Sequence, residues 1–404
     1  MWPIRLLANP SADRTRSYGP PERDVLSHAR HAEALREISS WPSYRPTPLV
    51  HLRGLAQSTG LAAIWYKDES TRFGLNAFKA LGGAYAVQRV LASALRERAG
   101  RADVGAQDLV AGRYRDIVSE LTVTCATAGN HGRSVAWGAE MFGCRSVIYL
   151  PAVTSRHREA AIAAYGAEIV RTAGNYDEAV RRCDQDARRL GRFVVSDTSY
   201  PGYMEIPRDV MQGYTVMVAE ALEQLPPGER PTHVFVQAGV GGLAAAVCAY
   251  LWEAWGAERP ILVVVEPDAA DPLFRSAAAG RPTRVPGEYH TIMAGLEAGE
   301  VSLLAWSILE KGADAFLTIP DEAAEATMRL LAEAVEGDPP VVAGESGAAG
   351  LAGTLAALQD AGARGTLQLG SDSRVLVFGT EGATDPESYK TIVGRSDDDV
   401  ASTT

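Results

Sequence analysis

Along the chain, short runs dense in β-branched and other apolar residues alternate with longer stretches whose apolar positions recur at helical spacing. The runs are AIWYKDE (63–69), TVTCAT (122–127), RSVIYL (145–150), EIVRT (168–172), FVVSDT (193–198), THVFVQ (232–237), ILVVVEP (261–267) and RVLVFGTEG (374–382). Strands separated by helices predict βαβ units, and hence an α/β protein with a mostly parallel sheet and helices on both faces. In such sheets ligands bind beyond the carboxyl ends of the strands, so chemistry is expected there. Ahead of the alternation, residues 1–45 read as an arm rich in Pro, Ser and Arg with one helix over 24–38. Residues 98–116 and 225–231 read as connections, and the polar end, residues 396–404, as a frayed tail. No internal repeat or low-complexity segment interrupts the pattern.

Composition narrows the partners. With 404 residues and 46% apolar content the chain can fill two compact domains. A net charge of −11 argues against a nucleic-acid surface and favours a protein that handles small molecules. Cys125, Cys144, Cys183 and Cys248 form no C-x-x-C pair, so neither a zinc site nor a disulfide framework is expected. Residues 1–16 lack the apolar core of a signal peptide and no run of about 18 apolar residues occurs, so a cytoplasmic location is expected.

Lysine is scarce: four of the 39 basic residues are Lys67, Lys79, Lys311 and Lys390, leaving 35 arginines. Lys79 lies among apolar and small residues in FGLNAFKALGGAYA (73–86). With Asn76 as N-cap, it falls in the first turn of a helix that follows a strand. An amine desolvated there has a lowered pKa and can form a Schiff base, which arginine cannot. The plain alternative is a lysine whose stem packs on the helix while its head reaches water.

Three further stretches carry candidate chemistry. CATAGNHGRSVAWGA (125–139) is strand, turn and helix; its exposed amides suit a carboxylate, Asn130 offers a side-chain hydrogen bond, and His131 is read as a structural hydrogen-bonder rather than a base. VFVQAGVGGLAAAV (234–247) has Gly239, Gly241 and Gly242 where a backbone must approach a phosphate. The same residues fit the dinucleotide pattern G-x-G-x-x-A, with Glu266 ending the next strand as a ribose ligand, and that reading stays open at this point. FGTEGATD (378–385) and GESGAAG (344–350) supply Thr380 and Ser346 as hydroxyl partners. A lysine, an anion-binding turn and a glycine loop for one phosphate together suit pyridoxal phosphate. A dinucleotide enzyme needs no such lysine.

In order along the chain, KDESTRFGLNAFKALGGAYA, ATAGNHGRSVAW, DTSYPGYMEIPRDVMQGYTVM, QAGVGGLAAAV, TIMAGL, GESGAAG and GTEGATDP resemble the fold-type II pyridoxal-phosphate enzymes, and among them the diaminopropionate ammonia-lyase family. The resemblance implies a fold like the tryptophan synthase β chain, with two open twisted α/β domains. It places a larger cofactor-binding domain at 46–84 and 205–395 and a smaller mobile one at 85–204. It implies that Lys79 binds the cofactor aldehyde and moves the Cα proton, with Phe78 beside it. Gly239, Val240, Gly241, Gly242 and Leu243 would hold the phosphate, Asn130 the phenolic oxygen and Thr380 the ring nitrogen. Thr127, Ala128, Gly129 and His131 would bind substrate, and Asp197 would act as acid or orienting group for the leaving β-amine. The implied reaction is α,β-elimination from a small amino acid such as 2,3-diaminopropionate, through an aminoacrylate to pyruvate and ammonia, in a homodimer without a metal.

The chain departs from the family in three places. ATAGNHG has Ala128 where the family reads aspartate, Tyr200 follows DTS where the family has tryptophan, and Glu297 follows MAGL where it has cysteine. A methyl group moves no protons, so elimination is expected on the one Cα configuration whose proton points at Lys79. The rivals are β-replacement through the same intermediate, a nicotinamide-dependent oxidoreductase, and a non-catalytic relative that binds the cofactor and leaves amino acids unchanged.

Overall fold

The eight apolar runs all contribute strands, and three more strands join them. In chain order these are β1 (Arg5–Ala8), β2 (Leu49–His51), β3 (Ala63–Asp68), β4 (Thr122–Ala126), β5 (Arg145–Leu150), β6 (Glu168–Arg171), β7 (Phe193–Val194), β8 (His233–Gln237), β9 (Ile261–Pro267), β10 (Ala315–Ile319) and β11 (Arg374–Gly379). The computed structural model describes every residue except Met1, Ala102, Ala128, Asn175, Thr403 and Thr404, and every described side chain except that of Asp177. The chain divides into two compact units, one of residues 1–27, 46–77 and 217–404, the other of residues 28–45 and 78–216.

The first unit holds a seven-stranded sheet in the order β1-β10-β9-β8-β11-β3-β2. Its inner strands are parallel, with Phe378 beside Lys67 and Val375 beside His233 in the register. β8 and β10 are buried throughout, which explains why such strands read as continuous apolar runs rather than as alternating ones. Ile64, Phe235, Val263, Val265, Leu317 and Val377 contribute to its core. Each such burial stabilises by about 1.5–3 kcal/mol. The second unit holds a four-stranded parallel sheet, β6-β5-β4-β7. There the helices Ala80–Ala99 and Asn130–Phe142 meet through small residues, so closely that a methyl on Gly138 would sit 2.8 Å from the Ala84 Cβ.

Several expectations change. β1 and β2 are antiparallel edge strands of four and three residues, too short to show a period. β10 is hidden because its five buried residues, four of them apolar, follow an apolar helix, Leu303–Gly312, and periodicity alone does not separate the two. The helix expected over 24–38 is two, Pro20–Val25 and His28–Ser39, because Leu26 is extended (φ −138°, ψ 144°). The connection 98–116 contains the helix Ala106–Val110 and the start of a second, Arg115–Val118. Of FVVSDT only Phe193 and Val194 pair as a strand. The expected tail contains a helix, Asp397–Ala401, in which the Ser396 hydroxyl accepts from the Asp399 amide and the Asp399 carboxylate accepts from Ser396 N–H. The cysteines are free, with Cys125, Cys183 and Cys248 buried and Cys144 half-buried.

Candidate active site

Lys79 is itself the cap of the helix Ala80–Ala99, three residues later than the expected Asn76. Asn76 instead takes a left-handed conformation (φ 51°), as do Phe73 (φ 52°) and Gly74 (φ 71°), and the chain reaches the lysine through that tight turn. Asparagine and glycine tolerate this region; phenylalanine there is strained. The Lys79 Nζ donates to Asp197 Oδ2 at 2.8 Å, and both side chains keep slight exposure, 18% and 19%.

The expected lowering of the Lys79 pKa is not found. Burial alone would lower it, but the Asp197 carboxylate, with a smaller contribution from Tyr214, holds the ammonium above its ordinary value. Asp197 answers in kind: burial would raise it, and the Lys79 charge outweighs that and keeps the carboxyl well below its usual range. His131 stands behind the pair. Its Nε2 lies 2.8 Å from the Val195 carbonyl, an acceptor only, so Nε2 carries the hydrogen. Burial lowers the His131 pKa and favours the neutral ring, leaving the Nδ1 lone pair without a hydrogen-bond partner among the described residues, 3.9 Å from Asp197 Oδ2.

The turn before the helix Asn130–Phe142 is shaped by Thr127, whose Oγ1 accepts from the amides of Gly129 (3.1 Å) and Gly132 (3.3 Å). Asn130 opens that helix and Gly129 caps it. Ala128 lies outside the described residues. Tyr200, in the place of the family's tryptophan, stacks on Tyr203 at 5.0 Å. The second unit thus brings together Lys79, Phe78, Asp197 and His131, with the Phe78 ring 5.3 Å from the Lys79 Nζ.

In the first unit β8 ends at Gln237, and the glycine loop leads into the helix Gly242–Trp255. Gly241 caps it at φ 98°, where a Cβ would also meet the Ala305 methyl at 3.1 Å. A Cβ on Gly239 would come within 3.2 Å of the Leu296 backbone. The Val240 carbonyl accepts from Ser302 N–H (2.9 Å), which ties the loop to the segment behind it. The first-turn amides of a helix have no intrahelical partner, an arrangement that suits an anion. Thr380, at the end of β11, accepts from the Gln237 side-chain amide at 2.9 Å, and that nitrogen also donates to the carbonyls of Phe378 (2.8 Å) and Ser346 (2.9 Å). Two carbonyls can only accept, so they fix which end of the amide is the donor. Acting as acceptor there, the Thr380 hydroxyl keeps its proton for a nitrogen lone pair. Ser346 is engaged elsewhere, its hydroxyl accepting from Gly295 N–H (3.0 Å).

The dinucleotide reading fails at Glu266. This residue is fully buried, and its two carboxylate oxygens accept from the amides of Leu273 (2.8 Å) and Phe274 (2.7 Å) at the start of the helix Pro272–Ala279, so it is turned to its own backbone and presents no surface to a ribose. The donor set fits pyridoxal phosphate instead: an amine, an amide-lined loop that has no room for side chains, and a hydroxyl with a proton to give. Sequence reasoning missed Gln237 and Tyr214. A glutamine closing an otherwise apolar strand was the available signal for the first; only the fold reveals the second.

Comparison with known proteins agrees. Residues 41–379 match the family model described as pyridoxal-phosphate dependent enzyme. The chain belongs to that family of pyridoxal-phosphate-dependent enzymes, with a fold-type II architecture. Diaminopropionate ammonia-lyase of Escherichia coli (strain K12) is 42% identical over 356 residues, 87% of each chain. The crystal structure of selenomethionine-incorporated holo diaminopropionate ammonia lyase from Escherichia coli matches with a TM-score of 0.88 at 37% identity over 97% of each chain. The same enzyme in complex with an aminoacrylate-PLP azomethine reaction intermediate matches with a TM-score of 0.86 at 38% identity over 97% of each. Within the wider family, the chain is a member of the diaminopropionate ammonia-lyase group.

Proposed function

We propose that this protein is a pyridoxal-phosphate-dependent carbon–nitrogen lyase that removes the β-amino group from a small amino acid such as 2,3-diaminopropionate, yielding pyruvate and ammonia. The observation that carries the reading is the Lys79–Asp197 pair at 2.8 Å with the neutral His131 behind it. The bound cofactor supplies an aldehyde for the substrate amine and a ring that draws electrons away from Cα. Lys79 holds that aldehyde at rest and, once displaced by substrate, takes the Cα proton at Nζ. Asp197 receives a proton when the lysine lone pair is in use and gives it to the departing β-nitrogen. The amides of residues 239–243 hold the phosphate, Thr380 donates to the ring nitrogen, and Phe78 and Asn130 flank the ring. Thr127, Gly129 and His131 shape the turn that receives the substrate carboxylate.

With alanine at 128 there is no second carboxylate in that turn. Only one enantiomer of 2,3-diaminopropionate is therefore turned over, the one whose Cα proton faces Lys79. Pyruvate and ammonia assays on the separate D and L forms test this, and comparable rates on both would refute it. Ala128 also favours a second reading, β-replacement on a related amino acid. Under that reading product forms only when an external nucleophile is supplied, whereas elimination proceeds without one. We further read the protein as cytoplasmic, on its sequence pattern, and as a homodimer, as its resemblance implies; no described helix is long and apolar enough to cross a membrane.

A further inference from the structure

Lys79 has a second polar neighbour that the proposed reaction leaves unused. Tyr214, on the helix Glu205–Glu223, is 1% exposed. Its ring packs at 4.6 Å and 48° against Phe78, and the Lys79 Nζ lies 5.7 Å from its centroid. The hydroxyl lies close enough to Lys79 for hydrogen bonding as well as charge to act between the two groups, yet it makes no well-aligned hydrogen bond to any described residue. Buried hydroxyls without a partner are uncommon, and each calls for an explanation.

The packing shows why the ring sits there. On Gly82, one turn beyond Lys79, a Cβ would lie 2.5 Å from the Tyr214 Cε1, 2.8 Å from its Cζ and 2.7 Å from the Val210 carbonyl oxygen. Bare backbone at position 82 thus leaves the space the phenol occupies. Burial raises the Tyr214 pKa to about 12, so the group stays a neutral phenol with lone pairs to offer. Among the described residues, the polar groups around the amine include Asp197, His131 and Tyr214. An ammonium has three hydrogens, and Asp197 takes one of them.

We infer that Tyr214 is a positioning residue for Lys79: its hydroxyl is a second acceptor that, together with the Asp197 carboxylate, holds and orients the lysine amine. The inference rests on Lys79 being the reactive amine, but it concerns that amine before any chemistry and fails separately from the elimination reading. The decisive measurement uses the full chain without cofactor, labelled with 15N-lysine, in which four resonances suffice for assignment. Tyr214→Phe keeps the ring and removes only the hydroxyl. The Lys79 ammonium protons are expected to exchange with water several-fold faster in this variant, and fluorotyrosine at 214, a weaker acceptor, to give an intermediate rate. In the loaded enzyme the same Phe variant is expected to lose about 10-fold or more in kcat with KM within about 2-fold. Identical exchange rates in the three proteins overturn the inference, whatever happens to kcat.

Discussion

At Lys79 two opposing effects meet: burial, which favours the neutral amine, and a carboxylate at 2.8 Å, which favours the ammonium. The carboxylate wins, so with the lysine amine free the site holds an ion pair. Asp197, lowered in the folded state, contributes stability above its unfolded value of 3.8 and loses it as pH falls through the folded one. Lys79, raised, contributes below its unfolded value of 10.5 and loses it as pH rises through the folded one. The pair therefore stays intact throughout the neutral range. Lys79→Ala is expected to abolish both the visible absorbance of the bound cofactor and turnover; an intact band would mean another lysine holds it. In Asp197→Asn the largest influence opposing burial is gone and only the smaller one of Tyr214 remains, so the Lys79 pKa is expected to fall. Cofactor loading, which needs the neutral amine, then extends to lower pH in stopped-flow absorbance, while turnover drops roughly 100- to 10,000-fold. Lys79 was legible in the sequence because composition singled it out. Its raised pKa was not, because Asp197 lies 118 residues away and only the fold brings it near.

At the scale of elements, the turn after β3 is anchored in the first unit by a closed set of buried charges. Arg72 pairs with Glu69 (2.7 Å) and Glu220 (2.6 Å), and Lys67 pairs with Glu220 (2.8 Å) and donates to the Thr47 carbonyl. The two positive and two negative groups balance one another within the set. Removing one partner unbalances the set, and Glu220→Gln is expected to cost about 3–5 kcal/mol in denaturant unfolding. Arg72→Lys is expected to restore little, because one ammonium does not reproduce a guanidinium that contacts two carboxylates at once. KDES was legible as a strand end but not as an ionic anchor: Glu220 and Thr47 lie far off in sequence. The central strands were legible because both faces are buried, whereas β1 and β2 were not, since edge strands this short carry no period.

For the whole molecule, the α/β class followed from alternation and the ordered motifs pointed to the family by resemblance, while the division into units was not legible, since residues 28–45 belong with 78–216 rather than with the segments on either side. Sedimentation equilibrium is expected to give twice the chain mass, and a monomer at micromolar concentration would exclude the homodimer. The distribution of amines has a further effect on how the cofactor finds its place. Pyridoxal phosphate is an aldehyde, and every accessible neutral amine competes for it. Lys67 is sealed among carboxylates, and the other lysine side chains outside the site are Lys311, 37% exposed, and the exposed Lys390. The remaining 35 basic residues are arginines, whose guanidinium groups stay charged and do not condense with aldehydes at neutral pH. By writing its surface cations as arginine, the chain leaves its reactive cofactor few wrong places to bond.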